Sequence, residues 1–245
     1  MSNHLLTVED VSFAYGTHQV LFGVSMHVEE GEAVGLLGTN GAGKSTLLRL
    51  IAGLDHPTNG HIRYAGSDIS RQRAERLAKG DIVLVSGGKA VFPDMTVREN
   101  LEIFAVPLGR DTATIASRTA AVLATFPGLA ERISLNAGSL SGGLQQQLAV
   151  AKALLVRPRM LCIDELSLGL SPIVVEELLT VVRALHADGT TLVVVEQSLN
   201  IAATICSRSV FMEKGAVQFD GPTRDLLERD DIARAVFLGE RTAAH

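Results

Sequence analysis

The stretch at residues 38–46 reads GTNGAGKST, which is the spacing Gly, four residues, Gly-Lys-Ser. Glycines let a backbone curl so that several N–H groups point into one concavity, and the N-terminus of a following helix adds roughly half a positive charge. Such a concavity binds phosphate. We expect the contacts to come from Gly38, Asn40, Gly41, Gly43, Lys44, Ser45 and Thr46.

Two side chains of this stretch carry separate chemistry. Lys44 would reach the outer phosphates as a point charge, and the Ser45 hydroxyl would ligate the magnesium ion that bridges them. The alternative is an ordinary strand-turn-helix connection whose glycines serve only the turn. An apolar run before the stretch (residues 33–37) and a helix-like run within and after it (residues 45–50) favour a phosphate loop.

Asp164 and Glu165 are adjacent acids that directly follow the apolar run at residues 160–163. In open parallel sheets, ligands bind outside the carboxyl ends of the strands, where the phosphate loop is also predicted. Asp164 can hold magnesium through water, while Glu165 can orient or deprotonate an attacking water. The alternative is a solvated turn.

Ser141, Gly142 and Gly143 precede a strong helix-forming run at residues 144–155. They offer a second helix N-terminus to an anion, although a plain N-cap explains them equally well when they are taken alone. Tyr15 closes an early strand-like piece and also has two interpretations. It could stack on a nucleobase, or it could pack on the sheet as an edge-strand aromatic.

Apolar patterning predicts the scaffold that positions these groups. Short alternating pieces at residues 5–9, 11–15 and 24–28, punctuated by glycines such as Gly16 and Gly23, predict a small antiparallel layer. The remaining predictions are buried strands at 33–37, 82–85, 160–163 and 191–195, a returning strand at 61–64, a helical block at 96–132 broken near 107–109 and 126–128, a helix at 172–186, a hairpin at 209–217 and a polar helix at 223–238.

Composition limits the class of protein. The 245 residues are 47% hydrophobic and 20% charged, which is typical of a folded domain, and the net charge of −5 argues against a nucleic-acid partner. Cys162 and Cys206 are expected to be buried thiols, and the histidines show no spacing suited to a metal. We expect no leader sequence and no membrane-spanning segment, because no apolar run approaches roughly 20 residues.

With these motifs in order, the chain resembles the nucleotide-binding subunit of ATP-binding-cassette (ABC) transporters over nearly its whole length. Residues 38–46 match the family's first nucleotide motif, 140–143 its signature, 160–165 its second nucleotide motif and 167–170 the loop that crosses the dimer. Within the family, the chain is most similar to the smaller ATPase of branched-chain amino acid importers. The features of that likeness are Gly16, residues 92–101, 167–172 and 195–197, and the ending at 237–239.

The resemblance implies an α/β fold: a P-loop NTPase (RecA-like) core with an N-terminal antiparallel β layer and an inserted α-helical subdomain. It implies a single nucleotide-binding domain. The expected boundaries are residues 1–85 and 155–222 for the ATP-binding core with the β layer, 86–154 for the helical subdomain with the signature, and 223–245 for the C-terminal helix and tail.

The resemblance also implies roles and partners. Tyr15 falls where the family stacks an aromatic on adenine, and Ser141 and Gly143 fall where one subunit covers the γ-phosphate of ATP held by the other. The expected ligands are ATP and Mg²⁺. The expected partners are permease subunits in the membrane and a second cassette, in a homodimer or a heterodimer, so that the chain lies on the inner face of the cell membrane.

Four positions depart from the family pattern. Gly87 stands where a Gln or Glu usually senses magnesium, and Gln197 stands at the switch histidine, where it can bond a phosphate oxygen but not shuttle a proton. Leu144 and Leu166 replace a polar residue and a proline, and we interpret both as packing variants.

These residues lead to a hypothesis with two rivals. The chain would be the ATPase that powers a transporter, with Lys44, Glu165 and Gln197 in the catalytic roles. One rival is an ATP-gated regulatory dimer that is not engaged in transport, which Gly87 motivates. The other is one cassette of a longer fused polypeptide.

Overall fold

The structure is a computed structural model that describes residues 4–79, 81–86, 90–106, 109 and 111–228. The described residues form two compact units, the first from residues up to 74 together with those from 191 onward, the second from residues 75–190. The strands are β1 (His4–Tyr15), β2 (His18–Glu29), β3 (Ala33–Gly38), β4 (Asn59–Tyr64), β5 (Ser67–Asp68), β6 (Ile82–Val85), β7 (Met160–Asp164), β8 (Thr191–Val195), β9 (Arg208–Glu213) and β10 (Ala216–Pro222). The α-helices are α1 (Lys44–Ile51), α2 (Ala74–Leu77), α3 (Val97–Phe104), α4 (Thr112–Thr125), α5 (Pro127–Ala130), α6 (Gly142–Val156), α7 (Pro172–Ala187), α8 (Leu199–Ala203) and α9 (Thr223–Leu227).

The first unit contains the predicted antiparallel layer, with the strand order β2-β1-β4-β5. The two strand pieces predicted at residues 5–9 and 11–15 form one continuous strand, β1. The buried side of this strand changes partway along it, but the strand does not end there. The buried side chains fall on even-numbered positions at Leu6 and Val8 but on odd-numbered positions at Val11 and Phe13. The change occurs at Asp10, whose φ is 49°. A β-bulge inserts one residue in this way and restores the apolar face.

A second correction concerns Gly23, which was predicted to separate strand pieces. It lies inside β2, where its φ is 63° and its N–H donates to Ser12 Oγ of β1 at 3.0 Å. Glycine in a strand often marks a bulge rather than an end, because it tolerates positive φ. The sequence pattern could not distinguish these two uses.

The first unit also contains a mixed sheet in which β3 lies between β8 and β9 and β10 pairs with β9. β3 and β8 are buried at every position, as expected for strands covered on both faces. Leu36 pairs with Val195 of β8, and Gly38 pairs with Met212 of β9, both in parallel register. The predicted hairpin at residues 209–217 is confirmed by the antiparallel β9–β10 pair.

Arg208 of β9 joins elements of the first unit through a part-buried network. Its guanidinium donates to Glu32 Oε1 at 2.7 Å, to a carboxylate oxygen of Asp220 and to the carbonyl of His27 in β2 at 2.6 Å. Burial raises the pKa of Glu32, but the Arg208 hydrogen bond and charge outweigh it and hold that pKa below its usual range. The network therefore ties the antiparallel layer to the mixed sheet.

The second unit contains the parallel pair β6–β7 and helices α3 to α7. The predicted helical block is confirmed as separate helices, and its first helix begins with the predicted capping box. Thr96 Oγ1 accepts from the Glu99 N–H at 3.2 Å, while the Glu99 carboxylate accepts from the Thr96 N–H at 2.7 Å. This exchange satisfies two helix-end donors and fixes where α3 starts.

Three further expectations concern the whole chain. Cys162 and Cys206 are free and buried, and burial raises the pKa of each thiol to about 12. Within the described ranges, no helix combines the length and apolar character needed to cross a bilayer. The predicted C-terminal helix begins as α9 at Thr223, and its part beyond residue 228 lies outside the described residues, as does the predicted break near residue 107.

Replacing Arg208 with Met should lower the free energy of unfolding by about 2–3 kcal/mol, because it leaves two part-buried carboxylates without their partner. The matched control is Arg63→Met, since Arg63 pairs with Glu9 in the same unit and both side chains are at least 40% exposed. That control should cost less than about 0.5 kcal/mol. Urea denaturation followed by circular dichroism measures both, and equal losses would contradict the role given to Arg208.

Candidate active site

The phosphate loop of the first unit has a backbone that only glycine allows at two places. Gly38 has a φ of 148°, and a Cβ there would lie 2.0 Å from the carbonyl oxygen of Met212. Gly43 has a φ of 95°, caps α1, and would place a Cβ 2.5 Å from Leu21 Cδ2. The loop therefore lies directly against β9 on one side and β2 on the other.

Lys44 is buried at the centre of this loop. Its ammonium donates to the carbonyl oxygens of Gly38 at 2.7 Å and Thr39 at 2.8 Å. These bonds hold the ammonium within the loop's own curl, ahead of the first turn of α1. A fixed cation beside helix N–H groups is the charge arrangement that a polyphosphate requires.

The other predicted contacts of the loop differ in exposure. Asn40, Gly41 and Ser45 are exposed, whereas Thr46 is buried in the first turn of α1. The α1 helix then buries Leu47 and Leu48 and has no acidic residue in its first turn. Its N-terminal end is therefore electropositive and open at Ser45, which suits an anion with a bound cation.

Gln197 lies at the same edge of the mixed sheet as the phosphate loop. It lies two residues beyond Val195, the last residue of β8, and Val195 pairs with Leu36, two residues before Gly38. The preceding Glu196 is 1% exposed. The carboxyl ends of two neighbouring parallel strands thus bring together the phosphate loop and a half-buried amide.

Tyr15 combines features of both interpretations. Its ring meets that of Phe13 edge-on, with centroids 4.8 Å apart, which is the predicted packing contact. The side chain is nevertheless 47% exposed, and its hydroxyl donates to Asp55 Oδ2 at 3.4 Å. Asp55 also accepts from Arg49 Nε at 2.6 Å, so the end of β1 is tied to the loop after α1.

In the second unit, the two predicted acids end β7. Asp164 is the last residue of the strand, and Glu165 follows with a φ of 55°. A non-glycine residue in this left-handed region costs about 1–3 kcal/mol and persists only where its surroundings impose it. Leu166 behind it is fully buried, which supports the packing interpretation of that residue. The chain therefore turns sharply at Glu165.

The predicted signature residues begin α6 in the second unit. Ser141 is the N-cap, and its hydroxyl accepts from the Leu144 N–H at 3.4 Å. A Cβ at Gly142 would meet open space, whereas one at Gly143 would lie 3.1 Å from Val174 of α7. Leu144 lies against Gly128 of α5, as expected for a packing variant. The N-terminus of α6 is therefore capped on one side and open at Gly142.

A cavity of about 230 Å³ connects these two regions of the second unit. Gly142 and Glu165 both line it, together with Gly169, whose φ is 73°. Gln146 lines it as well, and within the described part of the chain its buried Nε2 has no hydrogen-bond partner. The structure thus brings the signature helix and the predicted catalytic acid to one space.

Lys152 is a buried cation that the sequence analysis did not single out. It lies on α6 with its ammonium 5.3 Å from the Phe92 ring centroid and 4.6 Å from that of Phe104, and it donates to the Ala90 carbonyl. None of the described carboxylates forms an ion pair with it. The sequence signal that could have found it is the position of Lys152 among apolar residues on the buried face of a predicted helix. Burial lowers the pKa of Lys152 to about 8.

The departure at Gly87 lies outside the described residues. Its neighbourhood is described from Ala90 onward, where Phe92 N–H donates to Asn100 Oδ1 at 2.8 Å and Asn100 is itself fully buried. The segment after residue 89 is thus fixed to α3 by a side-chain amide.

Comparison with known proteins gives one family. The model described as ABC transporter matches residues 21–167. A branched-chain amino acid transport ATP-binding protein, BraG of Pseudomonas aeruginosa, is 36% identical over 96% of this chain and 100% of its own length. The glutamine transport ATP-binding protein GlnQ of Escherichia coli is 33% identical over 94% of this chain and 96% of its own. A dimeric post-hydrolysis state of the ATP-binding cassette MJ0796, bound to ADP and Pi, superposes with a TM-score of 0.79 at 26% identity, covering 89% of this chain and 99% of that one.

The pKa of Lys152 predicts a stability that rises with pH. Because the folded pKa is about 8 and the ordinary value is 10.5, the unfolded chain binds more protons between these two pH values. The free energy of unfolding should therefore increase across that window, by as much as about 3 kcal/mol. Lys152→Met should remove this increase, whereas Lys214→Met, at a 90% exposed side chain, should keep it. Urea denaturation from pH 7.5 to 10 tests this, and an unchanged slope in Lys152→Met would contradict it.

Proposed function

This chain belongs to the ABC transporter family and is a transporter ATPase, and we propose that it powers the import of amino acids, most closely of the branched-chain type. The observation that carries the proposal is the phosphate loop itself, with Lys44 held between the Gly38 and Thr39 carbonyls at the head of α1. The similarity to BraG over the full length of that relative supports the choice of cargo class.

ATP is the proposed substrate, and its phosphates would occupy the curl of the loop. Lys44 would neutralise the outer phosphates, and the N–H groups from Gly41 to Thr46 would bind their oxygens. The exposed face of Tyr15 would stack on the adenine ring, while Phe13 supports the opposite edge of that side chain. Gln197, just beyond the carboxyl end of β8, would bond a phosphate oxygen.

Magnesium is the proposed metal. The Ser45 hydroxyl and the Asp164 carboxylate are hard oxygen donors, which is the ligand type that Mg²⁺ requires, and Ser45 is exposed at the head of α1. When bound, the ion would offset the negative charge of the β- and γ-phosphates. Glu165, which lines the cavity beside Gly142, would accept a proton from the attacking water.

The working form is proposed to be a dimer of cassettes. Ser141, Gly142 and Gly143 present a helix N-terminus that is open at Gly142, and we expect it to cover the γ-phosphate of ATP held by a second subunit. ATP binding would then close the dimer and hydrolysis would open it. Permease subunits would convert the motion into transport, and they would place the chain on the inner face of the membrane.

The proposed domain organisation keeps the boundaries expected from the sequence, with residues 86–154 as the helical subdomain and the remainder as the ATP-binding core and tail. Both α3 and α6 begin with a side-chain cap inside that range. The proposed role of the subdomain is to carry the signature residues on a helix of its own.

Glu165→Gln should lower ATP turnover at least about 100-fold, because the amide cannot accept the proton of the attacking water. ATP binding should persist, and the dimer should accumulate in its closed form. Phosphate release, fluorescent-nucleotide binding and size-exclusion chromatography with ATP measure these three effects. The matched control is Glu176→Gln on α7, an exposed acid paired with Arg183 at 3.0 Å, which should hydrolyse at the normal rate. Undiminished hydrolysis by Glu165→Gln would reject its role.

An ATP-gated regulatory dimer without a permease remains the second candidate, because Gly87 supplies no side chain at the usual contact with a membrane partner. Expression of the tagged chain in its own host separates the two. We expect purification from detergent-solubilised membranes to recover a polytopic membrane protein in stoichiometric amount. Recovery of the chain from the soluble fraction alone would favour the regulatory dimer.

A further inference from the structure

Three side chains with metal-binding atoms meet at one end of the β1–β2 pair, in the first unit. One ligand atom from each of His4, His27 and Glu29 lies within 4.8 Å of the other two. His4 and His27 are 23 positions apart in the sequence, so their spacing gave no indication of a shared site. The strand pairing brings them together.

The antiparallel register explains why the three share one face. His4 pairs directly with Glu29, and His27 lies two residues before Glu29 on the same side of β2. His4 Nδ1 is 2.5 Å from Glu29 Oε1, and the two imidazole rings are 4.2 Å apart with an interplanar angle of 37°. The three ligands therefore come from two rigid strands rather than from a loop.

The backbone of this group is anchored from the mixed sheet. Arg208 donates to the carbonyl oxygen of His27 at 2.6 Å, so the position of that residue is fixed by β9. The His27 ring itself makes no hydrogen bond with any described residue, and its nitrogens are available to a ligand. A simple His–Glu ion pair accounts for His4 and Glu29 but gives no role to the second imidazole.

The surrounding charge favours a dication. Glu29, Glu32 and Asp220 contribute three negative charges, and Arg208, which bonds the last two, contributes one positive charge. If both imidazoles are neutral, these four charged side chains together carry a net charge of −2. One divalent cation would neutralise it.

We propose that His4, His27 and Glu29 form a binding site for a divalent transition-metal ion of the zinc type. Two imidazole nitrogens and one carboxylate oxygen, with a fourth position for water, are an established ligand set for Zn²⁺ at about 2.0–2.2 Å. Tetrahedral ligands at that radius are separated by about 3.3–3.6 Å. The observed atoms reach this spacing through small side-chain rotations, which the partly exposed rings and carboxylate permit.

The site would fasten the start of β1 to the end of β2. It is distant from the phosphate loop, because Leu21 of β2 touches Gly43 and Glu29 lies eight positions further along the strand, about 26 Å at 3.3 Å per residue. The ion would therefore stabilise the antiparallel layer and take no part in ATP chemistry. Mg²⁺ prefers oxygen ligands and would not compete for the two imidazoles.

The test is a zinc titration of the metal-stripped chain without nucleotide, in excess Mg²⁺, against a chromophoric chelator. We expect one Zn²⁺ per chain, and a melting temperature that rises by several degrees on saturation. His4→Gln and His27→Gln should each weaken zinc binding at least about tenfold and abolish that rise. The matched control is His61→Gln, since His61 and Asp68 form a pair at 2.9 Å on the same layer, and no described residue adds a third ligand to them. This control should bind zinc like the original chain.

Cobalt provides a second readout that does not depend on stability. Co²⁺ in a site with two nitrogens should give the visible absorption bands of a tetrahedral ion in the original chain and in His61→Gln, but not in His27→Gln. If His27→Gln does not fold by circular dichroism, Glu29→Gln answers the question in its place. Zinc binding that is absent, or unchanged in the variants of all three ligands, would overturn the proposal. Because no nucleotide is present, neither result bears on the ATPase assignment.

Discussion

The close approach between Gly38 and the Met212 carbonyl is the constraint on which the rest of the first unit depends. A Cβ at Gly38 would lie 2.0 Å from that oxygen, so only glycine lets β3 reach this far along β9 before the loop turns. The parallel registers with β8 and β9 then set the height at which the loop begins. Lys44 completes the arrangement, because its ammonium bonds the carbonyl of the same glycine. The contact at Gly38 therefore sets both the packing of β3 on β9 and the position of the Lys44 ammonium.

Arg208 has a comparable role at the opposite end of the sheets. It satisfies Glu32 and Asp220 and also bonds the His27 carbonyl, so one guanidinium holds β2, β9, β10 and the turn before β3. A planar, fork-shaped donor suits such a junction, because Arg208 bonds both oxygens of Glu32 at once and still has N–H groups for the other two acceptors, which exceeds the three donors of a lysine. The phosphate loop lies beside β2 through the contact between Gly43 and Leu21. A rigid junction at Arg208 therefore also limits how far β2 can move against the loop.

Local rules predicted those parts of the structure whose geometry depends on neighbouring residues. The phosphate loop, the capping box at Thr96 and the hairpin after Arg208 follow from residue types at fixed short spacings. The continuous strand β1 did not, because the bulge at Asp10 mimics a strand end in the pattern. The turn at Glu165 was equally invisible, since its positive φ is imposed by the surrounding fold.

The buried polar groups of α6 required the tertiary structure, and they show what this helix is built to do. Apolar side chains of similar volume would stabilise a purely structural helix better than Lys152 over two phenylalanine rings, or than Gln146, whose amide nitrogen no described residue bonds. Polar side chains of α6 instead set the position and rotation of the helix through directional hydrogen bonds. Lys152 donates to the Ala90 carbonyl, and Gln147 donates to Glu177 of α7 at 2.8 Å. The first turn of α6 is supported in the same way, because Gly143 packs on Val174 of α7 and Leu144 on Gly128 of α5, while Gly142 faces open space. A helix end that binds an anion, the role proposed for residues 141–143, needs that combination, because its position must be rigid while some of its N–H groups stay uncovered.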